Sequence, residues 1–129
     1  MEFKIAKEEF TSGLFRIQSI IEKRTTLPIL THAMIETKTD AIQIVATDLE
    51  VGMKGTYDAE IVSEGAVAVP AAHLFAIVRE LPEGEVTFKV VENDQVIIEC
   101  GRARFRISAT GVEEFPNLPD YQKEKFITL

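Results

Sequence analysis

The pattern of apolar and polar residues in the first half of the chain predicts one strand, one helix and three more strands. Residues 2–7 alternate, with Phe3 and Ile5 on one face, which is typical of a strand. Over residues 8–23 the apolar positions recur at spacings of four, three and four, which predicts a helix with one buried stripe. That stripe consists of Phe10, Leu14, Ile17 and Ile21. The three further strand patterns cover residues 31–38, 41–47 and 51–60.

The second half of the chain repeats this order. Residues 66–69 form a short strand pattern, and Pro70 marks the start of a helix, because proline is favoured in the first helical turn. The helix covers residues 71–81, and its apolar stripe consists of Leu74, Ile77, Val78 and Leu81. Three strand patterns follow at residues 85–91, 95–100 and 103–109. Each half is therefore predicted to be a β-α-β-β-β unit, and repetition of a whole unit indicates architecture more strongly than any single strand.

This duplication predicts an α+β fold in which two helices lie on one side of antiparallel sheets. Each helix then buries one stripe and presents the opposite one. On the first helix the opposite stripe is small, polar and basic. It consists of Ser12, Arg16, Ser19 and Lys23, with Arg24 just beyond it. Glu8 and Glu9 suit the positive N-terminal end of this helix, whereas the cations Lys23 and Arg24 suit its negative end.

The composition is that of one globular domain with a core of its own. The chain has 129 residues, of which 46% are hydrophobic. Cys100 is the only cysteine, so no intrachain disulfide can form. The N-terminus alternates instead of showing a charged region before an apolar run, and no stretch approaches the ~20 apolar residues of a bilayer span. We therefore expect a cytoplasmic protein.

The net charge of −7, from 21 acidic and 14 basic residues, lowers the expectation of nucleic-acid binding. The position of the basic residues changes this picture, because Arg16, Lys23 and Arg24 cluster on one helix. The residues alone leave two interpretations open. The stripe is either a solvated helix face, with Arg24 capping helix carbonyls, or a surface that contacts phosphates.

Four segments of the chain together resemble the bacterial sliding clamp family, the β subunit of DNA polymerase III. In order along the chain they are KRTTLPILTHAMIE, ATDLEVGM, VPAAHLFAIVRELPEG and GRARFRISATGVEEFPNLP. The combination of TLPIL, TDLE and EEFPNLP at these separations is highly specific. The resemblance covers the N-terminal domain of that family, from Met1 to the end of the chain.

The resemblance implies the DNA clamp fold and a non-catalytic processivity factor that tethers the replicative polymerase. In this family three similar domains make up one chain, and two chains close head to tail into a ring around duplex DNA, with helices lining the hole. The implied partners of the full-length protein are double-stranded DNA, a second copy in a homodimeric ring, DNA polymerase III and the clamp loader, and no cofactor is implied. Residues 1–120 correspond to the N-terminal domain, and residues 121–129 to a linker and the start of the next domain's first strand.

The resemblance also implies which residues contact DNA. In the family an arginine before the Thr-Leu-Pro turn contacts DNA, and Arg24 occupies that position. A second DNA-contacting basic residue of the family follows Val-Pro-Ala. This sequence departs from the pattern there, with Ala72 in that place and His73 next. The expected DNA-contacting set is Arg24, Lys23, Arg16, Ser12, Ser19, His73 and Arg79.

Two alternatives come from other functional classes. The first is a small enzyme with acid chemistry at Asp48 and Glu50. These residues flank Leu49, but no histidine or third carboxylate lies nearby in sequence, which favours an ordinary turn over a metal or catalytic site. No Gly-rich phosphate loop supports nucleotide hydrolysis.

The second alternative is a protein-interaction module that uses the outer sheet. The period of two is expected to place Arg102, Arg104 and Arg106 on one face of a strand, where they pair with carboxylates such as Glu99 or contact a partner protein. Burial of both helices away from solvent would favour either alternative over the clamp.

Overall fold

The computed structural model describes residues 1–24, 32–47, 52–109 and 126–128, and within these ranges the side chains of 18–24, 47, 52–53, 93 and 126–128 are not described. Two α-helices are present in this part of the chain, α1 (Lys7–Arg24) and α2 (Ala71–Arg79). The strands are β1 (Glu2–Ala6), β2 (His32–Lys38), β3 (Ala41–Thr47), β4 (Gly52–Asp58), β5 (Glu60–Ser63), β6 (Ala66–Pro70), β7 (Glu85–Val91), β8 (Gln95–Cys100), β9 (Ala103–Ser108) and β10 (Phe126–Thr128).

The predicted duplicated unit is confirmed, with one strand more than expected. Three of the predicted strands have the bounds of β3, β7 and β8, and most other elements differ by one or two residues. The prediction of a single strand over residues 51–60 is wrong, because Ala59 separates two strands there, β4 and β5. The amide of Ala59 donates to the carbonyl of Asp40 at 3.2 Å, at the point where the chain leaves one sheet for the other.

The two halves of the chain exchange their first strands. One sheet has the order β5-β1-β7-β8-β9 and the other β10-β4-β3-β2-β6. Strand β1 therefore pairs with β7 of the second half, and Phe3 lies opposite Phe88. In the same way β6 pairs with β2 of the first half, and Val69 lies opposite Ala33. Because each half completes the sheet of the other, the two halves form one folding unit.

One hydrophobic core joins both sheets to both helices. At its centre the rings of Phe3 and Phe88 stack with their centroids 4.8 Å apart, and Phe10 of α1 meets both rings edge-on at 6.0 and 6.1 Å. Each such side chain contributes about 1.5–3 kcal/mol to stability when it is buried. The cluster therefore fixes α1 against strands that come from both halves of the sequence.

The buried stripes of the helices follow the sequence pattern. On α1, Phe10, Leu14 and Ile17 are fully buried, whereas the side chain of Ile21 lies outside the described part. On α2 the predicted members Leu74, Ile77 and Val78 are buried together with Ala71. The predicted start of α2 after Pro70 is confirmed.

The end of α2 comes two residues earlier than predicted. The amides of Glu80 and Leu81 donate to the carbonyls of Ile77 and Val78, each at 3.1 Å. These bonds span three residues instead of four, and such bonds tighten the last turn of a helix and end it. Leu81 is nevertheless buried, so this residue packs in the core although it lies beyond the end of the helix.

Candidate nucleic-acid interface

Both helices expose the faces opposite their buried stripes. Among the described side chains of α1, those exposed beyond the acidic first turn are Ser12, Phe15 and Arg16. On α2 they are Ala72, His73, Ala76 and Arg79. The condition that would favour the enzyme or the outer-sheet module, helices packed away from solvent, is therefore not met.

The two exposed helix faces meet at a shallow groove. Its volume is about 290 Å³, and its lining residues are Thr11, Ser12, Phe15, Arg16 and Phe75. The rings of Phe15 and Phe75 lie 6.0 Å apart and are inclined by 49°. The guanidinium carbon of Arg79 lies 5.9 Å from the centroid of Phe75, within the range of a cation–π contact. One surface thus combines aromatic rings, hydroxyl groups and cations.

The structure brings together part of the predicted DNA-contacting set. Ser12 and Arg16 line the groove, Arg79 lies beside it across Phe75, and His73 is exposed in the first turn of α2. The side chains of Ser19, Lys23 and Arg24 lie outside the described residues, although their backbone completes the last turns of α1. Ala72 is exposed on α2, so the position where the family carries a basic residue faces solvent here.

The electrostatics of the helices differ from those of the whole chain. Helix α1 carries four cations and three carboxylates, and α2 carries one cation, Arg79, and no carboxylate. The chain as a whole has a net charge of −7. Two of the carboxylates of α1, Glu8 and Glu9, lie in its first turn, where the helix dipole favours negative charge. The two helices therefore carry more cations than carboxylates, although the chain as a whole is acidic.

Sequence patterns missed Phe15 and Phe75 as surface residues. At about 100° per residue, Phe15 lies roughly 140° around α1 from Phe10, well outside the buried stripe. This angular offset is the feature of the sequence that could have identified an exposed aromatic ring. Phe75 belongs to the other helix, and only the packing of α1 against α2 brings its ring to Phe15.

The predicted arginine face of the last strand needs a correction. Arg102 lies in the turn before β9, so only Arg104 and Arg106 share the strand face. Glu99 lies directly opposite Arg104 in the sheet. Within the described residues, however, none of the three arginines forms an ion pair. Exposed pairs of this kind gain little free energy in water, so their cross-strand placement alone does not hold them together.

Other candidate sites receive no support from the described part of the chain. Asp48 and Glu50 lie outside the described residues. Among residues that are described, no three side chains of His, Cys, Asp or Glu lie close enough to hold a metal ion. Neither α1 nor α2 combines the length and hydropathy that a bilayer span requires.

Comparison with known proteins identifies relatives over the whole chain. Residues 1–119 match the family described as DNA polymerase III beta subunit, N-terminal domain. The chain is 32% identical over 129 residues to the beta sliding clamp of Chlamydia muridarum, covering 100% of this chain and 35% of the relative. It is 33% identical over 130 residues to the beta sliding clamp of Escherichia coli K12, covering 100% of this chain and 36% of that relative.

The fold agrees with solved structures of the same kind. The DNA polymerase sliding clamp from Caulobacter crescentus superposes with a TM-score of 0.85 at 30% identity, covering 93% of this chain and 33% of that chain. The chain thus spans about a third of the length of these relatives. Their sheets and helices have the α+β arrangement seen here.

Proposed function

Because the chain belongs to the family of DNA polymerase III beta subunit N-terminal domains, we propose that it forms the N-terminal domain of a DNA sliding clamp. The clamp is a non-catalytic ring that encircles duplex DNA and tethers the replicative polymerase. Its partners are a second copy of the full-length chain, DNA polymerase III and the clamp loader, and it acts in the cytoplasm without a cofactor. Residues 1–120 are assigned to this domain, and residues 121–129 to the linker and the start of the next.

The observation that carries this proposal is the exposed, cation-bearing face that the two helices form. A ring that slides cannot hold base edges, since base contacts would fix it at one sequence. It needs phosphate contacts that carry no sequence information, and these come from Lys, Arg, hydroxyl groups and helix surfaces. The exposed Ser12, Arg16, His73 and Arg79 supply such groups.

Arg24 and Lys23 extend this surface in our proposal. Helix α1 ends at Arg24, so both residues belong to its last turn. Ser19 lies one turn earlier on the polar stripe of the sequence. These three residues and the four exposed ones together make up the proposed phosphate-contacting set.

The edge of β9 favours a second role, as a protein contact in the ring assembly. Among the described strands β9 is the last of its sheet, so the side that faces away from β8 has backbone groups that can pair with another strand. Phe105 on this strand is 39% exposed, and Arg104 and Arg106 are exposed beside it. An edge strand with an apolar side chain and cations fits a contact with another domain.

An NMR titration with a short DNA duplex tests the proposed DNA surface. Since one domain reaches only a few phosphates, we expect a Kd of roughly 10⁻⁴ M or weaker at physiological salt. Amide shifts should map to α1 and α2 and should be the same for unrelated DNA sequences. Replacing Arg24 with Ala should weaken binding at every sequence and should flatten the log–log salt dependence by about 0.9 if one phosphate contact is lost.

The matched control is Arg104→Ala, which removes the same charge from β9. It should leave the helix shifts and the salt dependence close to those of the wild type. The fold of Arg24→Ala should survive, because a cation at a helix end contributes about 0.3–1 kcal/mol through the dipole. Shifts that map to the strands, or equal effects of the two substitutions, would contradict the assignment of the helix face to DNA.

A further inference from the structure

Phe15 is the most exposed large apolar side chain in the described part of the chain, with 65% of its surface accessible. It lies in the middle of α1, between the buried Leu14 and the exposed Arg16. Diffuse phosphate contact does not require an aromatic ring at such a position, since a serine or lysine would serve it better. The exposed ring is therefore suited to bind a ligand with an apolar, flat surface.

The surroundings of Phe15 show the chemistry of that ligand. The groove beside the ring is lined by Ser12, Arg16 and Phe75 as well as Thr11. None of its lining residues in the described part of the chain is a carboxylate, although the chain is strongly acidic. The groove sets two rings among hydroxyl groups and a cation, and a wholly apolar peptide would leave these polar groups without partners. Flat rings beside cations match a nucleobase attached to a phosphate backbone.

Arg79 extends this surface on α2. Its guanidinium group lies over the ring of Phe75, and its side chain stays 59% exposed, with the nearest carboxylate oxygen, from Glu80, at 3.8 Å. The two rings thus have Arg16 of α1 in the same groove and Arg79 of α2 against Phe75. Such an alternation of aromatic and cationic groups is the arrangement by which proteins bind single strands without sequence preference.

We propose that the groove binds an unpaired nucleobase of single-stranded DNA, which stacks on the ring of Phe15 while Arg16 and Arg79 lie near the flanking phosphates. Bases of an intact duplex cannot reach the ring, because their faces are covered by neighbouring base pairs. The inference rests on the proposed function, since it assigns the helix face to DNA. It adds a preference of this face for unpaired strands, such as those next to a primer end.

Tryptophan fluorescence gives the first test, since the chain contains no tryptophan. The Phe15→Trp variant then carries a single indole at the groove. Titration with a twelve-nucleotide oligo(dT) at low ionic strength should quench its emission, because stacking of a base on the indole opens a contact quenching path. An abasic strand of the same length, which has the same phosphates but no bases, should leave the emission unchanged.

The matched control for this test is Phe105→Trp. Phe105 is also partly exposed and lies on the strand face opposite Arg104 and Arg106, so it offers an exposed ring without the groove and without these cations on its own face. Its emission should not respond to oligo(dT). Equal quenching by the abasic strand, absence of quenching at position 15, or quenching at position 105 in its place would overturn the proposal.

The Phe15→Leu variant tests the energetic role of the ring. It keeps an apolar side chain at the same exposed position, so the fold should not change. Stacking is worth about 1–3 kcal/mol per base, so the affinity for oligo(dT) should fall by about fivefold or more. The affinity for a duplex of the same length should stay within about twofold of the wild type, since phosphate contacts are retained.

Comparison of oligo(dT) with the duplex distinguishes this proposal from the proposed function. Unchanged oligo(dT) affinity in Phe15→Leu overturns the base-stacking site, even where duplex shifts still map to the helices. The duplex could instead leave the amide resonances of α1 and α2 unshifted while base-dependent quenching at position 15 is retained. That result would support the stacking site and would count against duplex encirclement.

Discussion

At the residue scale, position 72 limits the cations that α2 can bring to the proposed DNA interface. The family resemblance places a basic residue there, whereas this chain has an exposed Ala72 in the first turn of α2. His73 and Arg79 are then the groups with which α2 can reach phosphates in the proposed interface. An alanine in the first turn also avoids a cation at the positive end of the helix dipole.

Restoring a cation at this position should strengthen DNA binding. We expect Ala72→Arg to raise duplex affinity and to steepen the log–log salt dependence by about 0.9, because one phosphate contact is added. The free energy of unfolding should fall by about 0.3–1 kcal/mol, since the new cation lies at the positive helix end. Fluorescence anisotropy at several salt concentrations measures the first effect, and urea denaturation measures the second.

Val62→Arg provides the control for overall charge. Val62 is 53% exposed on β5, away from the helices, and the substitution changes the net charge by the same amount. Its duplex affinity and salt dependence should stay near those of the wild type. Equal gains in the two variants would show that the net charge of the chain, and not a local contact on α2, controls binding.

At the element scale, a single ring determines how closely α1 packs on β4. Tyr57 of β4 is almost fully buried between two glycines. A Cβ atom at Gly13 of α1 would lie 2.7 Å from Cζ of this ring, and one at Gly55 would lie 2.4 Å from its hydroxyl oxygen. The ring therefore cannot move away from one glycine without meeting the other. This packing holds the helix whose outer face carries the groove.

Gly13→Ala should consequently destabilise the protein. Overpacking a buried site costs typically 1–3 kcal/mol, whereas alanine gains about 0.8–1 kcal/mol over glycine in a helix interior. The net result should be a loss of up to about 2 kcal/mol in the free energy of unfolding, measured by urea denaturation. Ser12→Ala is the matched control on the exposed neighbouring position and should be neutral or slightly stabilising. A Gly13→Ala protein as stable as the control would show that α1 moves outward at little cost.

At the scale of the whole molecule, the exchange of first strands makes the halves interdependent. Strand β1 lies between β5 and β7, and β6 is the neighbour of β2. The loop between β5 and β6 joins the halves, and there the carbonyl of Gly65 accepts a hydrogen bond from the amide of Thr37 at 3.0 Å. The helix face that we assign to DNA is thus built from both halves and exists only when they are combined.

Separate expression of residues 1–64 and 65–129 tests this interdependence. Neither piece should fold by itself, because each lacks the strand that completes its sheet and part of the common core. Each should give a collapsed amide spectrum by NMR, and an equimolar mixture should recover the dispersed spectrum of the intact chain. A dispersed spectrum from either piece alone would show that one β-α-β-β-β unit is a sufficient folding unit.

The sequence by itself determined most of the elements and the buried face of each helix. The spacing of Phe10, Leu14 and Ile17 predicted the buried face of α1, and the strand patterns over residues 41–47 and 95–100 predicted β3 and β8 with the observed bounds. These properties are local, because the period of burial equals the period of the backbone, about 3.6 residues in a helix and two in a strand. The polar stripe of α1 followed from the same reasoning.

Only the tertiary structure decided which elements lie beside one another. The break at Ala59 carries no sequence signal, since polar and apolar residues continue to alternate across it while the chain passes from one sheet to the other. The meeting of Phe15 with Phe75 likewise joins side chains from the two halves of the chain. Such contacts depend on the packing of the whole core, in which the gain from burying one surface depends on every other surface that is buried with it. The groove of the helix layer is for that reason a property of the folded molecule and not of any segment of its sequence.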